Sequence, residues 1–298
     1  MIRPVAFRLN TQTAANNYFQ VHSSILPPQQ VQEKARKEFD AFVDKLQESG
    51  VKVTVIDDTP EPPTPDSVFP NNWVSFHEDQ QAVLYPMFAP NRQQERNKSV
   101  LNKLAGLGFG ISTLHDYTHY EAQHQYLEGT GSMVLDRSNK IAYATRSVRM
   151  HEAPLRKWCA QFGYEPVIFS ACHTVNRLRV PVYHTNVVMS VGQQFAVICL
   201  SSIDNTNERE KVVGYLQRTN KEIIDISEQQ MAKFAGNILQ LNSANGQPVI
   251  AMSQKAFEAF TSEQKVQLSQ YGRLVWSDLS TIENVGGGSA RCMIAELY

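Results

Sequence analysis

The chain has 298 residues, in which 28 lysines and arginines face 29 aspartates and glutamates, and 42% of the residues are hydrophobic. This hydrophobic content excludes a disordered protein, and a net charge near −1 disfavours nucleic acid or an anionic membrane as the main partner. The length is enough for one large domain or two modest ones.

The lengths of the apolar runs and the pattern of cysteines indicate the cellular compartment of the protein. The apolar runs, such as residues 195–200, are far shorter than the roughly 20 residues that cross a bilayer. Residues 1–10 lack the pattern of a secretory signal. Cys159, Cys172, Cys199 and Cys292 have neither CxxC spacing nor the density of a disulfide scaffold. We therefore expect a soluble protein of the reducing cytoplasm, with no membrane or nucleic-acid partner.

The first predicted helix covers residues 29–48. Its apolar residues recur at helical spacing and predict one buried face, formed by Val31, Ala35, Phe39, Phe42, Val43 and Leu46. Short strands are predicted on either side, at residues 5–9 and 51–56.

Four similar units follow along the chain. Each begins with two short strands joined by a polar turn, at 73–76 and 82–85, 133–135 and 141–144, 187–190 and 195–200, and 238–241 and 249–252. A helix comes next, at 92–107, 154–162, 207–219 and 253–271, and then a third strand, at 110–114, 166–169, 222–226 and 273–276. The repeated unit is therefore β-β-α-β.

A fifth unit appears if the chain closes on itself. A C-terminal strand at 292–297 would pair with residues 5–9, and the helix at 29–48 and the strand at 51–56 would complete the unit. The prediction is a single α/β domain over residues 1–298, in which five units form a ring.

One polar residue recurs at the start of each hairpin. Asn72, Glu128, His184, Asn237 and Cys292 are 56, 56, 53 and 55 residues apart. Equivalent positions of a closed ring meet near its axis, and unpaired polar groups are costly in a core, at about 1–3 kcal/mol each. The spacing therefore predicts a shared active site.

The side chains of this set suit covalent catalysis on an electrophilic carbon. Cys292 is the expected nucleophile, and His184 the group that lowers the thiol pKa as an imidazolium and later protonates a leaving nitrogen. Gly286, Gly287 and Gly288 precede the cysteine, which predicts a tight loop where a substrate can approach the sulfur.

Four segments of the sequence resemble the signature segments of the amidinotransferase and arginine deiminase superfamily. They are FPNNW at 69–73, EGTGSMVLD at 128–136, HTN at 184–186 and GGGSARCM at 286–293. Residues 3–20 and the FPNNW form look most like the citrulline-utilisation hydrolase branch. The resemblance implies a five-bladed α/β propeller, the pentein fold, with pseudo-fivefold symmetry.

The resemblance also implies roles for single residues. Cys292 falls on the nucleophile of the superfamily, His184 on its acid/base and Glu128 on the glutamate that holds a guanidinium group. Two aspartates of the superfamily are replaced by Asn72 and Asn186. An amide both donates and accepts hydrogen bonds, so a site with one carboxylate favours an uncharged ureido group over a guanidinium cation.

The amino-acid end of the substrate needs cationic and polar partners. Arg92 in APNRQQER and Arg149 in TRSVR resemble arginines that pair with the substrate carboxylate, although Arg146 and Arg291 are alternatives. Asn17 is placed on an N-terminal loop over the site, and Asn237 completes the expected substrate-binding set.

The sequence therefore predicts a cysteine hydrolase of non-peptide carbon–nitrogen bonds that converts citrulline to ornithine without a cofactor. Arginine deiminase, arginine dihydrolase and amidinotransferase chemistry remain alternatives, as does a non-catalytic binding protein on the same ring. A zinc site at His115, His119 and His124 is disfavoured, because no cysteine or further histidine completes a tetrahedral set.

Overall fold

The computed structural model describes residues 1–20, 27–96 and 98–298. Four three-stranded sheets lie in these ranges, and in each the middle strand pairs antiparallel with the first strand and parallel with the third. In chain order the strands are Val74–His77, Gln81–Leu84 and Thr113–Asp116; Val134–Asp136, Ile141–Thr145 and Glu165–Phe169; Met189–Val191, Phe195–Ile198 and Glu222–Asp225; and Leu239–Asn242, Pro248–Ser253 and Arg273–Ser277. The four predicted β-β-α-β units are confirmed.

The helix after each hairpin is the crossover that a parallel third strand requires. These helices are Lys98–Gly106, Glu152–Phe162, Thr206–Arg218, and the pair Gln254–Ala259 and Ser262–Ser269. Shorter helices are Thr11–Ala14, Pro90–Gln93, Gly129–Ser132, Thr185–Val188 and Glu228–Met231, with 3₁₀ turns at Pro70–Asn72, Thr118–Gln123, Leu200–Ser202 and Ala290–Met293 and a π-helix at Ile282–Gly286.

Two predicted helices are each divided in two. The helix expected at 92–107 is found as Pro90–Gln93 and Lys98–Gly106, and Asn97 lies outside the described residues. The helix expected at 253–271 stops at Ala259, because Thr261 caps a new helix by accepting a hydrogen bond from the backbone N–H of Gln264.

The N-terminal unit is smaller than predicted. Strand Ile2–Arg3 pairs in parallel with strand Ile56–Asp57, and helix Pro28–Glu48 lies between them in sequence. The six residues of the predicted apolar stripe are all buried. Residues 5–9 form no strand, because Gln32 satisfies backbone groups there, accepting from the N–H of Phe7 and donating to the carbonyl of Pro4.

The predicted C-terminal strand at 292–297 is also wrong. In this described part of the chain Cys292 belongs to the turn Ala290–Met293, and residues 294–298 have no regular structure. The guanidinium group of Arg291 binds the carbonyl of Ile294 in place of a strand partner. An antiparallel hairpin that the sequence did not predict, Cys172–Val175 with Leu178–Pro181, precedes His184.

Candidate active site

Four of the five predicted polar positions lie on or beside short helical turns that enter the first strand of a hairpin or the C-terminal segment. Asn72 ends the turn Pro70–Asn72, Glu128 and His184 are the N-caps of Gly129–Ser132 and Thr185–Val188, and Cys292 lies within Ala290–Met293. The turn carrying Asn72 contacts the turns that follow Glu128 and carry Cys292, and the turn after Glu128 contacts the one after His184. The fifth residue, Asn237, joins the group through its hydrogen bonds.

The thiol of Cys292 is buried and held by two amides. Asn186 Nδ2 and Asn237 Nδ2 each donate to the sulfur at 3.3 Å, and Asn237 Oδ1 lies 3.6 Å from it. Asn237 also donates to the carbonyl of Asn186 at 2.9 Å, which fixes the two amides relative to each other. Two N–H donors on the sulfur suit a nucleophile that carries negative charge during the reaction. The structure therefore places Asn186 and Asn237 on the nucleophile.

His184 and Glu128 form a second buried pair. His184 Nε2 lies 2.7 Å from Glu128 Oε2, and the other carboxylate oxygen accepts from the backbone N–H of Phe88 at 3.0 Å. Because a carboxylate can only accept, Nε2 of a neutral His184 is the protonated nitrogen and Nδ1 is the acceptor. Glu128 thus orients the imidazole so that Nδ1 can take up a proton.

Burial is the largest influence on both pKa values. It lowers the pKa of His184 to about 4, although Glu128 acts to raise it. Burial also opposes the ionisation of Glu128, yet Arg149, His184 and Arg92 together lower its pKa to about 2. At neutral pH the pair is a carboxylate and an uncharged imidazole. His184 therefore has to gain a proton before it can donate one, unlike the resting imidazolium expected from the sequence.

Arg92 is buried and holds protein groups. Its guanidinium group makes two hydrogen bonds of 2.9 Å to the carboxylate of Glu95, and its Nη1 donates to Asn72 Oδ1 at 2.7 Å. Arg92 Nη1 is also 4.0 Å from Glu128 Oε2. In this conformation Arg92 fixes the oxygen of Asn72, so that the Asn72 amide has one orientation.

Arg149 links Glu128 to the N-terminal segment. Its Nη1 lies 3.6 Å from Glu128 Oε2, while Nε and Nη2 donate to Asn16 Oδ1 and Nη2 also donates to the carbonyl of Thr13. The guanidinium carbon lies 4.9 Å from the ring centre of Tyr183. The predicted alternative Arg146 is instead on the surface, paired with Glu152 and Glu208.

Asn17 lies over the glycine loop. Its Nδ2 donates to the carbonyls of Gly286 and Gly287 at 3.4 and 3.3 Å, and Gln20 Nε2 donates to the carbonyl of Gly286 at 3.2 Å. Gly287 has φ of +68°, a conformation that glycine adopts without strain. The N-terminal segment therefore covers the loop that leads to Cys292.

Three residues around the site were missed by the sequence reasoning. Tyr183 packs against the His184 ring with centroids 4.6 Å apart and donates to the carbonyl of Gly287. Asp66 is buried 3.8 Å from Arg92, and Asn16 binds Arg149. Proximity in sequence to His184 was the available signal for Tyr183. Asp66 and Asn16 can be recognised as residues of the site only from the position of the N-terminal segment in the structure.

A cavity of about 1160 Å³ lies toward the hairpin turns, lined by turn residues such as Asp79, Ser138 and Ser243. Asn186 and Thr130 also line it, whereas Cys292, His184 and Glu128 do not. Asn186 therefore both lines this cavity and donates to the sulfur of Cys292.

The described residues contain no group of three His, Cys, Asp or Glu side chains arranged to hold a metal ion. His115 contacts Gln81 and Gln161, His119 contacts the carbonyl of Asp116, and His124 contacts the hydroxyl of Tyr126, so the three histidines of the disfavoured zinc site have separate partners. Among the same residues no helix has the length and apolar character to span a bilayer.

Comparisons with known proteins relate this geometry to a family. The sequence model of the N,N dimethylarginine dimethylhydrolase family, eukaryotic, matches residues 3–298. A search of curated proteins gives no match.

Solved structures share the fold. Apo ArgZ, an arginine dihydrolase from the ornithine-ammonia cycle in cyanobacteria, is 16% identical with a TM-score of 0.71, over 100% of this chain and 40% of ArgZ. Its N-terminal domain bound to product is 17% identical with a TM-score of 0.71, over 98% of this chain and 94% of the domain. A dimethylarginine dimethylaminohydrolase adduct with 4-chloro-2-hydroxymethylpyridine is 14% identical with a TM-score of 0.60, over 88% of this chain and 90% of that protein.

The chain spans about 40% of full-length ArgZ and nearly all of its N-terminal domain. At these identities the solved structures show the fold alone, an α/β fold of the pentein type. Membership of a family is shown by the sequence model, which matches nearly the whole chain. The expected superfamily is confirmed, while the matching family model is the dimethylarginine one. The chain belongs to the N,N dimethylarginine dimethylhydrolase family, within the amidinotransferase superfamily.

Proposed function

We propose that this protein hydrolyses the ureido group of citrulline to give ornithine, through a covalent intermediate on Cys292. The observation that carries the proposal is the charge around Glu128. This buried carboxylate already has two arginine side chains within 4.0 Å, and the other polar groups next to the reacting atoms are the amides of Asn72, Asn186 and Asn237.

A guanidinium substrate would compete with Arg149 for this carboxylate, while Arg92 is paired with Glu95 and lies 3.8 Å from Asp66. Like charges repel strongly where water is excluded, and burial also penalises an unpaired cation. A neutral ureido group avoids both costs. Its oxygen can accept from an amide N–H and its N–H groups can donate to Glu128 or to an amide oxygen.

The first half of the reaction uses the two buried pairs in turn. The Cys292 sulfur attacks the ureido carbon while the thiol proton passes to Nδ1 of His184, and a tetrahedral intermediate forms. His184 then gives this proton to the departing nitrogen of ornithine as the carbon–nitrogen bond breaks. Glu128 stabilises the imidazolium between the two transfers, and a carbamoyl group remains on the sulfur.

The second half restores the thiol. Neutral His184 removes a proton from water, the hydroxide attacks the carbamoyl carbon, and the carbon–sulfur bond breaks with return of the proton to sulfur. The released carbamate decomposes to carbon dioxide and ammonia. No cofactor takes part in the proposed sequence.

For the amino-acid end of the substrate we propose Arg149 in preference to Arg92. Two of the partners of Arg149, Asn16 and Thr13, belong to the N-terminal segment, so a shift of that segment frees its guanidinium group. Arg92 is held by Glu95, within its own turn of chain, and by Asn72, and its proposed role is to orient Asn72.

A guanidino substrate is the second candidate. The retained Glu128 suits a guanidinium group, the matching family is named for dimethylarginine, and ArgZ is described as an arginine dihydrolase. On this candidate, the same cysteine and histidine would act on arginine or its dimethyl derivative.

Product analysis separates the candidates. Purified protein is incubated separately with L-citrulline, L-arginine and N,N-dimethylarginine, with Cys292→Ala as the control, and ornithine, citrulline and ammonia are measured. The proposal predicts ornithine from citrulline and little product from the guanidino compounds. Ornithine from both citrulline and arginine would indicate a dihydrolase. Citrulline formed from arginine or dimethylarginine, with citrulline itself inert, would contradict the proposal.

We further propose that residues 1–298 are one domain whose five units form a closed ring. The neighbouring contacts of the turns that carry Asn72, Glu128, His184 and Cys292 support it, as does the hydrogen bond from the N–H of Arg291 to Asn237 Oδ1 at 3.1 Å.

A further inference from the structure

The segment that leads to the nucleophile begins with a π-helix. This helix, Ile282–Gly286, is capped by Gly287, and the chain then turns through Ser289 into the turn that carries Cys292. π-helical turns are rare and often occur at functional sites, because they aim a side chain where an α-helix would not. Here the side chain aimed back at the loop is Glu283.

Glu283 holds the loop at two points. Its backbone carbonyl accepts from the N–H of Gly287 at 2.8 Å, and its Oε1 accepts from the hydroxyl of Ser289 at 2.6 Å. The carbonyl of Ser289 in turn accepts from the N–H of Cys292 at 2.9 Å. A continuous path of hydrogen bonds therefore joins the carboxyl group of Glu283 to the backbone of the nucleophile.

The surroundings of this carboxyl group favour its neutral form. Glu283 and Ser289 are both fully buried, and Glu283 Oε2 has no partner of hydrogen-bond geometry among the described residues. The charged groups that face it are Lys255, which is favourable, and Glu38, which is unfavourable. Burial raises the pKa of Glu283 to about 7, although Ser253, Ser289 and Lys255 lower it.

We propose that Glu283 is a positioning residue for Cys292, which in its neutral form holds the loop in the conformation seen here and on ionisation loosens it. A buried carboxylate held only by serine hydroxyls is poorly solvated, so its ionisation favours a shift of the loop that brings in water or a cation. The inference rests on the proposed role of Cys292 as nucleophile, and it is independent of which substrate the enzyme takes.

Three variants separate positioning from support of the fold. Glu283→Gln keeps the shape and the acceptor for Ser289 but cannot ionise. Ser289→Ala removes the hydroxyl donor alone, and so serves where Glu283→Ala does not fold. Glu38→Gln is the matched control: Glu38 accepts from the backbone N–H groups of Thr281 and Ile282 at the other end of the same helix and does not contact the loop.

The readout is the rate at which iodoacetamide alkylates Cys292, measured from pH 6 to pH 8 by mass spectrometry of the Cys292 peptide. Reaction at the other three cysteines is resolved in the same spectra. This rate needs no substrate, so it tests the inference even where citrulline hydrolysis fails. Where hydrolysis is found, kcat and KM are measured beside it.

The expected result has two parts. The ratio of the Glu283→Gln rate to the wild-type rate is near one at low pH and falls to about one tenth one pH unit above the carboxyl pKa, because the loop that ionisation loosens exposes the buried thiol of the wild type. Ser289→Ala lowers kcat by about tenfold to a hundredfold with little change in KM, because the nucleophile is displaced. Glu38→Gln keeps the wild-type kcat and moves the pH dependence of alkylation toward lower pH, because it removes a negative charge that faces Glu283.

Two results would overturn the inference. One is a ratio of Glu283→Gln to wild type that stays constant with pH. The other is a Ser289→Ala variant, folded by circular dichroism, whose Cys292 reacts and turns over at the wild-type rate. Loss of activity in Cys292→Ala with a flat ratio would reject the role of Glu283 alone, whereas full activity in Cys292→Ala would reject the proposed function.

Discussion

Glu128 is the residue on which the charges of the site converge. It accepts from His184 at 2.7 Å and lies 3.6 Å from Arg149. Its pKa is lowered to about 2, so its ionised form contributes stability above its ordinary pKa, and this contribution is lost as the pH falls through about 2.

We therefore expect Glu128→Gln to lower the free energy of unfolding by about 3 kcal/mol at neutral pH, since a buried arginine loses its carboxylate. The difference from the wild type should narrow as the pH falls below the ordinary carboxyl pKa. Urea unfolding at several acidic and neutral pH values measures it. A difference that is independent of pH would show that the charge of Glu128 is not the cause.

The side chain at position 72 is an amide, so it adds no negative charge beside the reacting atoms. Its oxygen accepts from Arg92 at 2.7 Å and its Nδ2 donates to Asn71 Oδ1 at 3.1 Å. We predict that Asn72→Asp lowers kcat/KM for citrulline and raises that for arginine, each by about tenfold, because the added carboxylate favours a cation. Steady-state kinetics with both substrates test this. Asn72→Ala is the control, since it removes the amide without adding charge, and an unchanged ratio of the two kcat/KM values in Asn72→Asp would contradict the charge argument.

At the scale of the element, helix Gly129–Ser132 has a glycine, Gly131, where the side chains of Asn72 and His184 pack closely. A Cβ at Gly131 would lie 2.3 Å from Asn72 Nδ2 and 2.8 Å from His184 Nδ1. We predict that Gly131→Ala displaces both groups and lowers kcat by about a hundredfold.

The matched control for Gly131 lies in helix Thr206–Arg218. A Cβ at Gly214 meets nothing within 4 Å, and alanine is favoured over glycine within a helix, so Gly214→Ala should keep full activity and gain about 0.5–1 kcal/mol of stability. Turnover assays and thermal unfolding compare the two variants. Full activity in Gly131→Ala would mean that Asn72 and His184 are not held as closely as the geometry shows.

Elements with a regular pattern were predicted well and those set by single contacts were not. The stripe from Val31 to Leu46 follows helical periodicity, and the helix was found with all six residues buried. The strand predicted at residues 5–9 failed because Gln32, distant in sequence, satisfies the backbone there. Such a side-chain partner leaves no periodic signal in the sequence.

At the scale of the whole molecule, the repeat predicted which polar residues lie close together. Five polar residues at nearly constant spacing were expected to meet, and the structure joins Cys292 to Asn237, Glu128 to His184, and Asn72 to Arg92. The individual partners could not be predicted, because the spacing says which residues share an end of the molecule and not which atoms touch. Thus Asn186 and Asn237, expected on the substrate, are found on the sulfur.

The ends of the chain are joined through the core. Ile294 is buried in an apolar cluster with Phe39 of the N-terminal helix and Val249 of the last sheet. We predict that Ile294→Ala lowers the free energy of unfolding by about 2–4 kcal/mol. Leu178→Ala, at an exposed hairpin position, should change it by less than about 0.5 kcal/mol. Equal effects of the two substitutions in denaturant unfolding would argue against a core that joins the first and last units.

Covalent catalysis on Cys292 is tested by the intact mass of the protein, quenched in acid during turnover of citrulline. We predict an added carbamoyl group, located on Cys292 by peptide mapping and absent from Cys292→Ala. His184→Ala, which lacks the proton carrier, should form it slowly or not at all. A wild-type protein that releases ornithine while Cys292 stays unmodified at every quench time, or a Cys292→Ala variant that remains active, would contradict covalent catalysis at this site.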